Sequence, residues 1–285
     1  MIEALNYAFK DIKYLDSGHR YFCGDQELKS ITKFLSSLKE EFNSTYWSIY
    51  KAYQFSGYTV KMVWNNRNYF WANLPDEEPE MIMLDSDHSH LQVTPSDVLK
   101  QWALDNVIGT TRGTYVHNYL ENLENRIIDV PEIVLIPNMS TSQAINYVNS
   151  LQTARELCQS FVTDIQKTHT LVASEFIVGS PKLELAGTFD RLYFNRETKQ
   201  YEIWDFKTDK KFRSKGEFGN KIKTFDVPDC EFEKYSLQVS LYRKIIEDAL
   251  GIKLGESRVV WFDFKNKEYS IVQCNNYVEL ITSKL

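Results

Sequence analysis

Two neighbouring segments in the middle of the chain alternate apolar and polar residues with the period of two that is typical of β-strands. They cover residues 183–194 and 201–207. The polar residues 195–200 between them begin with a turn-favouring asparagine and are few enough for a hairpin connection. The pattern therefore predicts two adjacent antiparallel strands.

The same alternation predicts which side chains share a face of these strands. Asp205 and Lys207 are two residues apart and lie side by side, whereas Trp204 and Phe206 point the other way into a core. Asp190 lies on the preceding strand. Because the two strands pair, we expect its carboxylate and that of Asp205 to converge on one point.

Other segments carry the spacing of helices or further strands. Three helices are predicted over residues 46–55, 142–167 and 233–250. Three more are predicted from their starts: near Ser30, near His117, and at Thr94-Pro-Ser-Asp97 with Thr94 or Ser96 as N-cap. The remaining predictions are a hairpin before Ser30, an irregular segment from residue 75 to 90, and strands at residues 171–178 and 258–264.

From residue 142 onward the predicted order is α-β-β-β-α-β. This order indicates an α/β (α+β) fold with a central mixed sheet flanked by helices. We expect residues 1–100 to form an N-terminal hairpin and helical extension that makes a wall or arch over the site. Residues 101–285 are expected to form the core domain.

Two carboxylates and a lysine in this arrangement suit a metal-dependent phosphodiester hydrolase. Mg²⁺ and Mn²⁺ prefer oxygen ligands, and such an ion activates water and neutralises charge on a phosphate. A nearby lysine orients the water or stabilises the pentavalent state. Two solvent-facing aspartates with an ordinary Asp-Lys pair would give the same pattern, so this triplet alone leaves both interpretations open.

Glu175 is a charge inside the apolar, β-rich run 171–178. Burial of an unpaired carboxylate is costly, so this residue requires a metal, a cation or solvent. An edge position that faces water is the alternative.

Two pairs of polar residues have helical spacing. His117 precedes Glu121 by four residues, and Gly113 allows a close backbone approach at the start of that segment. Gln238 and Tyr242 form a polar stripe on a helix that is otherwise apolar. A packed histidine and polar residues at the edge of a core are the alternatives.

Together these residues resemble the RecB-like branch of the PD-(D/E)XK nuclease superfamily, which includes many phage exonucleases and the mitochondrial genome maintenance exonuclease. The resemblance covers residues 113–242. It is carried, in order, by Gly113-Thr-x-x-His117, Glu175, Gly187-Thr-Phe-Asp190-Arg, Asp205-Phe-Lys207-Thr and Gln238-x-x-x-Tyr242. Phe189 stands where the superfamily name has proline, as is common in this branch.

The resemblance implies a restriction-endonuclease-like fold and a role for each of these residues. His117, Asp190, Asp205 and the carbonyl of Phe206 would bind Mg²⁺ or Mn²⁺, with Glu175 as an accessory acid. Lys207 would be the catalytic lysine. Gln238 and Tyr242 would line the site and help to place the scissile strand. The imidazole ligand suggests tolerance of Mn²⁺.

Residues 18–35 are similar to the short strand, turn and helix start that precede the core in these exonucleases. Ser30 is the expected N-cap of that helix, where backbone amides and the helix dipole favour an anion such as a DNA phosphate. Simple helix capping is the alternative.

The net charge of −6 and the pI near 5.5 argue against a basic nucleic-acid coat, so contact with DNA requires a local patch. The chain has such a patch directly after the Asp205 strand: Lys207, Lys210, Lys211, Arg213, Lys215, Lys221 and Lys223. We also expect DNA contacts from Arg112, Arg191, Thr208 and Ser30. A solvated lysine-rich loop is the alternative.

Aromatic residues are 14% of the chain, and three clusters are candidates for stacking on the bases of a single strand. These are Tyr46-Trp47, Trp64 and Tyr69-Phe70-Trp71. The four cysteines, Cys23, Cys158, Cys230 and Cys274, are widely scattered, so we predict no iron-sulfur cluster and reduced thiols. No apolar run approaches the roughly 20 residues that span a bilayer, so we expect a cytoplasmic protein without membrane contact.

These features predict a metal-dependent DNA exonuclease that acts on single-stranded DNA or DNA ends in phage or bacterial recombination or processing. A recombination or replication protein is a possible partner, and the oligomeric state stays open. A structure-specific endonuclease would use the same site. A noncatalytic DNA-binding module is disfavoured because His117, Asp190, Asp205 and Lys207 are all present. No Gly-x-x-x-x-Gly-Lys-Ser/Thr loop supports an ATPase.

Overall fold

The computed structural model describes residues 1–38, 41–62, 69–127, 129–216 and 220–285. The chain forms two compact units. Unit 1 consists of Met1–Lys39, Thr111–Leu135 and Ser140–Leu285, and unit 2 consists of Glu40–Thr110 and Ile136–Met139. This division differs from the expected boundary at residue 100, because the N-terminal strands belong to the sheet of unit 1.

The helices within the described residues are amphipathic segments of very different length. They are α1 (Ile2–Ala8), α2 (Ile31–Ser37), α3 (Ser44–Phe55), α4 (Pro95–Glu124), α5 (Thr141–Ile165), α6 (Glu231–Leu250) and α7 (Val278–Lys284). Among the described residues, none of these helices combines the length and hydrophobicity that crossing a lipid bilayer requires.

The strands of the N-terminal half have four or five residues, and the second half contains both the longest strands and two strands of only two residues. The first group is β1 (Ile12–Leu15), β2 (Arg20–Cys23), β3 (Gln26–Ser30), β4 (Thr59–Met62), β5 (Tyr69–Asn73) and β6 (Glu80–Met83). The second group is β7 (His169–Ser180), β8 (Leu185–Asn195), β9 (Gln200–Lys207), β10 (Lys221–Ile222), β11 (Val227–Pro228), β12 (Arg258–Asp263) and β13 (Glu268–Gln273).

Unit 1 is built on one mixed eight-stranded sheet flanked by helices. The strand order is β1-β2-β3-β8-β9-β12-β13, and β7 pairs with the other edge of β8. The β3–β8 and β9–β12 pairs are parallel, and the other neighbours are antiparallel. The chain order α5-β7-β8-β9-α6-β12 agrees with the order predicted from the sequence.

The largest core of unit 1 lies where α6 packs against the sheet. Leu237, Leu241 and Ile245 of α6 are buried against Phe189 and Ile203 of the strands. Burial of side chains of this size stabilises the fold by about 1.5–3 kcal/mol each. Helix α6 is therefore held firmly over β8 and β9, and its polar residues have a fixed position relative to both strands.

Unit 2 has its own core, in which aromatic and aliphatic side chains of α3 and of the three-stranded sheet β4-β5-β6 pack together with Leu91 and Val98. Phe70 lies edge-on to Tyr46, Tyr50 and Tyr53. Two of the proposed stacking clusters therefore contribute mainly to this core, although Trp71 is partly exposed. The third, Trp64, lies outside the described residues.

Most predicted elements are confirmed within a few residues. The antiparallel β8–β9 pair is joined at Asn195 and Gln200, as the hairpin prediction requires. Ser30 caps α2, because its hydroxyl accepts the Lys33 backbone N–H at 3.2 Å. Thr94 rather than Ser96 caps α4, since its hydroxyl accepts the backbone N–H of Asp97.

Three parts of the sequence prediction are wrong. The separate helices expected near Thr94 and His117 are one continuous helix, α4, because nothing between them interrupts its hydrogen bonds, and both Gly109 and Gly113 lie inside it. The segment 75–90 is not wholly irregular, since it contains β6 paired with β5. Helices α1 and α7 and strands β4, β5, β10, β11 and β13 were not predicted.

Gly187 on β8 leaves room for the ring of Tyr242 on α6. A Cβ added at Gly187 would lie 2.9 Å from Tyr242 Cε1 and 3.0 Å from its hydroxyl oxygen. The tyrosine is buried and its ring cannot move aside without disturbing the core. Glycine at this position therefore permits the close contact of α6 with β8.

We expect Gly187→Ala to lower the free energy of unfolding by about 1–3 kcal/mol, because the added methyl group overpacks this contact. Urea denaturation measures the change. Gly109→Ala is the matched control, since a Cβ there meets nothing within 4 Å and alanine favours a helix. The control should stabilise the protein by about 0.5–1 kcal/mol. Equal effects of the two substitutions would contradict this packing.

Candidate metal and phosphodiester site

The two aspartates lie at a fork in the sheet of unit 1, which is the point where one edge of β8 changes its partner strand from β3 to β9. On one edge of β8, pairing with β3 ends at Ala186, and pairing with β9 begins only at Arg191. Asp190 lies at this break. Its Oδ2 accepts the backbone N–H of Phe206 at 2.6 Å, so a side chain replaces the missing backbone partner. The carboxylate of Asp190 is thereby fixed beside the end of β9.

His117 reaches this fork from the second half of α4. Its Nδ1 lies 3.4 Å from Glu175 Oε1 and 3.6 Å from Asp190 Oδ1, and its Nε2 lies 3.3 Å from the carbonyl oxygen of Phe206. The histidine side chain is 25% exposed. One imidazole therefore faces two carboxylates and one backbone carbonyl.

His117, Glu175 and Asp190 each offer one ligand atom, and these three atoms lie within 4.8 Å of one another. One nitrogen and two carboxylate oxygens suit Mn²⁺ and Mg²⁺ better than a thiolate set would. The donor set thus fits the ion that the sequence predicts. The structure also places the Phe206 carbonyl next to this group.

Glu175 has a strained backbone, with φ of 45° inside strand β7. The β7–β8 register pairs Ser174 with Arg191 and Phe176 with Phe189, on either side of this residue. A left-handed conformation in a non-glycine residue costs about 1–3 kcal/mol and is characteristic of functional sites. At Glu175 it accompanies a carboxylate that meets both His117 and a buried arginine.

Asp205 and Lys207 form the second half of the site. The Lys207 ammonium lies 2.6 Å from Asp205 Oδ2, and the Gln238 amide donates to Asp205 Oδ1 at 3.4 Å. Only 1% of Asp205 is exposed. Burial raises the pKa of Asp205, although Lys207 opposes this shift. Burial lowers the pKa of Lys207, but Asp205 and Asp190 more than offset it, so the net pKa is raised and the lysine stays charged.

Tyr242 and Gln238 occupy the predicted positions on the face of α6 toward the two strands. Burial raises the pKa of Tyr242 well above its ordinary value, so the hydroxyl keeps its proton. The tyrosine is buried and contacts Gly187, whereas Gln238 remains partly exposed and bonds to Asp205. Of this pair, Gln238 is the residue with direct contact to a proposed ligand.

The protonation of His117 follows from the acids around it. Burial lowers the pKa of His117, but Asp190 and Glu175 outweigh this effect and raise the pKa to about 9. The metal-free site therefore holds an imidazolium at neutral pH. A divalent ion must displace that proton before it binds the imidazole.

The basic residues expected to contact DNA differ in their exposure and in their ion pairs. Lys210, Lys211 and Lys215 lie exposed in the segment after β9, whereas Arg213 is ion-paired with Glu231 at 2.6 Å. The other members of the basic stretch, Lys221 and Lys223, are also exposed, and Lys221 pairs with Asp226.

Arg112 and Thr208 contact each other within the protein. The Arg112 guanidinium donates to the Thr208 carbonyl at 3.2 Å and lies over the Phe264 ring at 4.5 Å. Gly113 lies beside Thr208 as well, and a Cβ there would lie at an ordinary van der Waals distance of 3.4 Å from Thr208 Oγ1. Helix α4 is thus fastened to the end of β9. Contacts of Arg112, Thr208 and Ser30 with DNA remain predictions.

The predicted DNA contact of Arg191 is wrong. Its side chain is 0% exposed and points into the protein, where it bonds Glu124 at 2.5 Å and Glu175 at 3.0 Å. Alternation along β8 places Arg191 on the face opposite Asp190, and sequence reasoning had not applied this to the Asp-Arg pair. A residue buried on this face of β8 cannot serve as a surface cation that contacts DNA.

Sequence reasoning also missed several supporting residues. Glu124 and Tyr193 bond each other, and Tyr235 lies under the Lys207 ammonium at 4.8 Å from ring centroid to nitrogen. Tyr21 bonds Thr188 at 3.2 Å beside the aspartate fork. The spacing of Glu124, seven residues after His117, was a signal, because it places both on one face of α4.

No protein-family model matches this chain, and a search of curated proteins found no match.

The raised pKa of His117 predicts a pH dependence of stability in the metal-free protein. A group whose folded pKa of about 9 exceeds its unfolded value near 6.5 stabilises the fold fully below pH 6.5 and loses that contribution as pH rises through 9. In EDTA, the free energy of unfolding of the wild-type protein should fall by at most about 3 kcal/mol between about pH 6.5 and 9, relative to that of His117→Gln.

Urea denaturation at pH 6, 7.5 and 9 measures this difference. His169→Gln provides a control of opposite sign, because burial lowers the pKa of His169, and its contribution to stability grows as pH rises. A wild-type pH slope equal to that of His117→Gln would contradict the protonated state of His117.

Proposed function

We propose that this protein is a metal-dependent nuclease that hydrolyses phosphodiester bonds in DNA, and that it acts as an exonuclease. The observation that carries this proposal is the meeting of His117, Glu175 and Asp190 within 4.8 Å, next to the Lys207–Asp205 ion pair. A cluster of acids with an imidazole and a buried lysine is the chemistry that phosphodiester hydrolysis needs.

The arrangement of the fold supports the same class. The α5-β7-β8-β9-α6-β12 order, with β7, β8 and β9 antiparallel and β12 parallel to β9, agrees with a restriction-endonuclease-like core. Asp190 and Asp205 lie on β8 and β9, the second and third strands of this order. We therefore include the restriction-endonuclease-like fold in the proposal.

Asp190, Asp205, Glu175, His117 and the Phe206 carbonyl would hold Mg²⁺ or Mn²⁺, and three of them, His117, Glu175 and Asp190, have ligand atoms within 4.8 Å of one another. A bound ion would lower the pKa of a water molecule and neutralise charge on the phosphate. The chain's own residues prepare this place. Phe206 fixes Asp190 through its backbone N–H, and Lys207 and Gln238 fix both oxygens of Asp205.

Lys207 supplies positive charge where a phosphate gains negative charge. Its ammonium is four-fifths buried and is held between Asp205 and the ring of Tyr235. Preorganised charge in a poorly solvated site stabilises a transition state more than the same charge in water. The charged state of Lys207, which Asp205 and Asp190 favour, fits this role.

The exposed lysines that follow β9 would hold the phosphate backbone of the substrate. Lys210 and Lys211 come three and four residues after Lys207, so the same segment carries the catalytic lysine and the proposed DNA contacts. Because these contacts are electrostatic, affinity should fall as the salt concentration rises.

An endonuclease with the same site is the second candidate function, since a chemistry of this kind does not distinguish an internal bond from a terminal one. A noncatalytic DNA-binding module is less well supported. Such a module would have no need for a buried Lys207 paired with a buried Asp205, which costs desolvation energy on both groups.

We expect cleavage of end-labelled DNA with Mg²⁺ or Mn²⁺ and none with EDTA. Lys207→Ala should reduce the cleavage rate by about 100-fold or more, because it removes a cation that acts on the transition state. Lys253→Ala is the matched control, since Lys253 is highly exposed and pairs with Glu247 at the far end of α6. Its rate should stay within about twofold of wild type. Full activity of Lys207→Ala would contradict the assignment.

The form of the DNA separates the two candidate functions. An exonuclease should degrade linear single-stranded or double-stranded DNA to short products and leave a covalently closed circle intact. Gel analysis of both forms in one reaction gives the answer. Nicking or linearisation of the circle at the same rate would favour the endonuclease.

A further inference from the structure

The buried guanidinium of Arg191 joins three parts of the candidate site. Its Nε donates to Glu124 Oε2 at 2.5 Å, and its Nη1 donates to Glu175 Oε1 at 3.0 Å and to the carbonyl of Asp190 at 2.7 Å. Arg191 therefore contacts Glu124, the last residue of α4, the strained Glu175 of β7 and the backbone of Asp190 on β8.

Glu124 neutralises Arg191 and is itself buried. Its carboxylate accepts a hydrogen bond from the Tyr193 hydroxyl in addition to that from Arg191, and only 2% of its side chain is exposed. Because Glu124 lies on the same helix as His117, the ion pair also ties the His117 segment of α4 to β8. The guanidinium lies 5.2 Å from the centroid of the Phe206 ring, which adds a cation–π contact.

Arg191 and His117 bind the same oxygen of Glu175. Both contacts go to Oε1, whereas Oε2 accepts no hydrogen bond from the described residues. A carboxylate held by one oxygen cannot rotate freely, so its second oxygen has a defined direction. This arrangement resembles the outer hydrogen bonds that orient metal-binding carboxylates in general.

We propose that Arg191 is a positioning residue that orients the Glu175 carboxylate for divalent metal binding. This inference rests on the proposed function, since it assumes that the group around His117 binds a metal ion. Arg191 itself touches neither metal nor DNA.

The test is the affinity for Mn²⁺, measured by electron paramagnetic resonance of free Mn²⁺ at pH 7.5. Arg191→Met with Glu124→Gln removes both charges of the buried pair and so avoids an uncompensated charge. We expect this double variant to bind Mn²⁺ about 10- to 100-fold more weakly than wild type, as is usual when outer hydrogen bonds to a ligand are lost.

A second comparison separates positioning from general damage. In a Glu175→Ala background the same double change should alter Mn²⁺ affinity by less than about threefold, because the carboxylate through which Arg191 acts is gone. Arg243→Met with Glu247→Gln is the matched control, since this pair is also buried, at 2.8 Å, but bonds no residue of the site. Its Mn²⁺ affinity should equal that of wild type.

Unchanged Mn²⁺ affinity of the double variant, or an equal loss in both backgrounds, would overturn the role of Arg191. Should the double variant not fold, Arg191→Lys takes its place in the same comparison. Its ammonium keeps the buried charge but lacks the planar fork in which two separate nitrogens, Nε and Nη1, bond Glu124 and Glu175. A wild-type protein that binds no Mn²⁺ would instead contradict the proposed function, and the role of Arg191 with it.

Discussion

Carboxylates withdrawn from water require counter-charges, and the site depends on how this requirement is met. Asp205 is balanced by Lys207, and Glu124 by Arg191. Glu175 and Asp190 share the remaining positive charge, which comes from the imidazolium of His117 and, for Glu175, from Arg191. A proton on His117 therefore provides charge that a divalent ion would provide in its place. Three positive charges thus face four carboxylates, because Glu124 and Glu175 share Arg191, and the site keeps one negative charge that a divalent ion would offset.

The sheet makes this arrangement possible because β8 changes partners. Between Ala186 and Arg191 one edge of β8 has no strand pair, and the side chain of Asp190 bonds the backbone of Phe206 instead. At the same level β7 carries the strained Glu175. The pairs on either side, Ser174 with Arg191 and Phe176 with Phe189, place Glu175 opposite Asp190, so the two carboxylates share one face of these strands. His117 of α4 meets both of them there.

The sequence was most informative where pattern and chemistry coincide. The period of two placed Asp205 and Lys207 on one face and Trp204 and Phe206 on the other, and the structure has both pairs so arranged. The same period of two separates Arg191 from Asp190, but the partners of its buried guanidinium, Glu124 and Glu175, lie far away in the sequence and could not be read from it. The continuous helix α4 was missed because Gly109 and Gly113 suggest a break, whereas both lie inside the helix, and Arg112 beside them bonds the distant Thr208 carbonyl. Long-range contacts of this kind have no local signal.

The central claim is that His117, Glu175 and Asp190 bind one divalent metal ion. The most direct measurement is anomalous X-ray diffraction from crystals of the protein grown with Mn²⁺. We predict an anomalous peak within about 2.0–2.5 Å of an imidazole nitrogen of His117 and of carboxylate oxygens of the acids beside it. Well-ordered side chains at the fork without an anomalous peak among them, at millimolar Mn²⁺, would contradict the account.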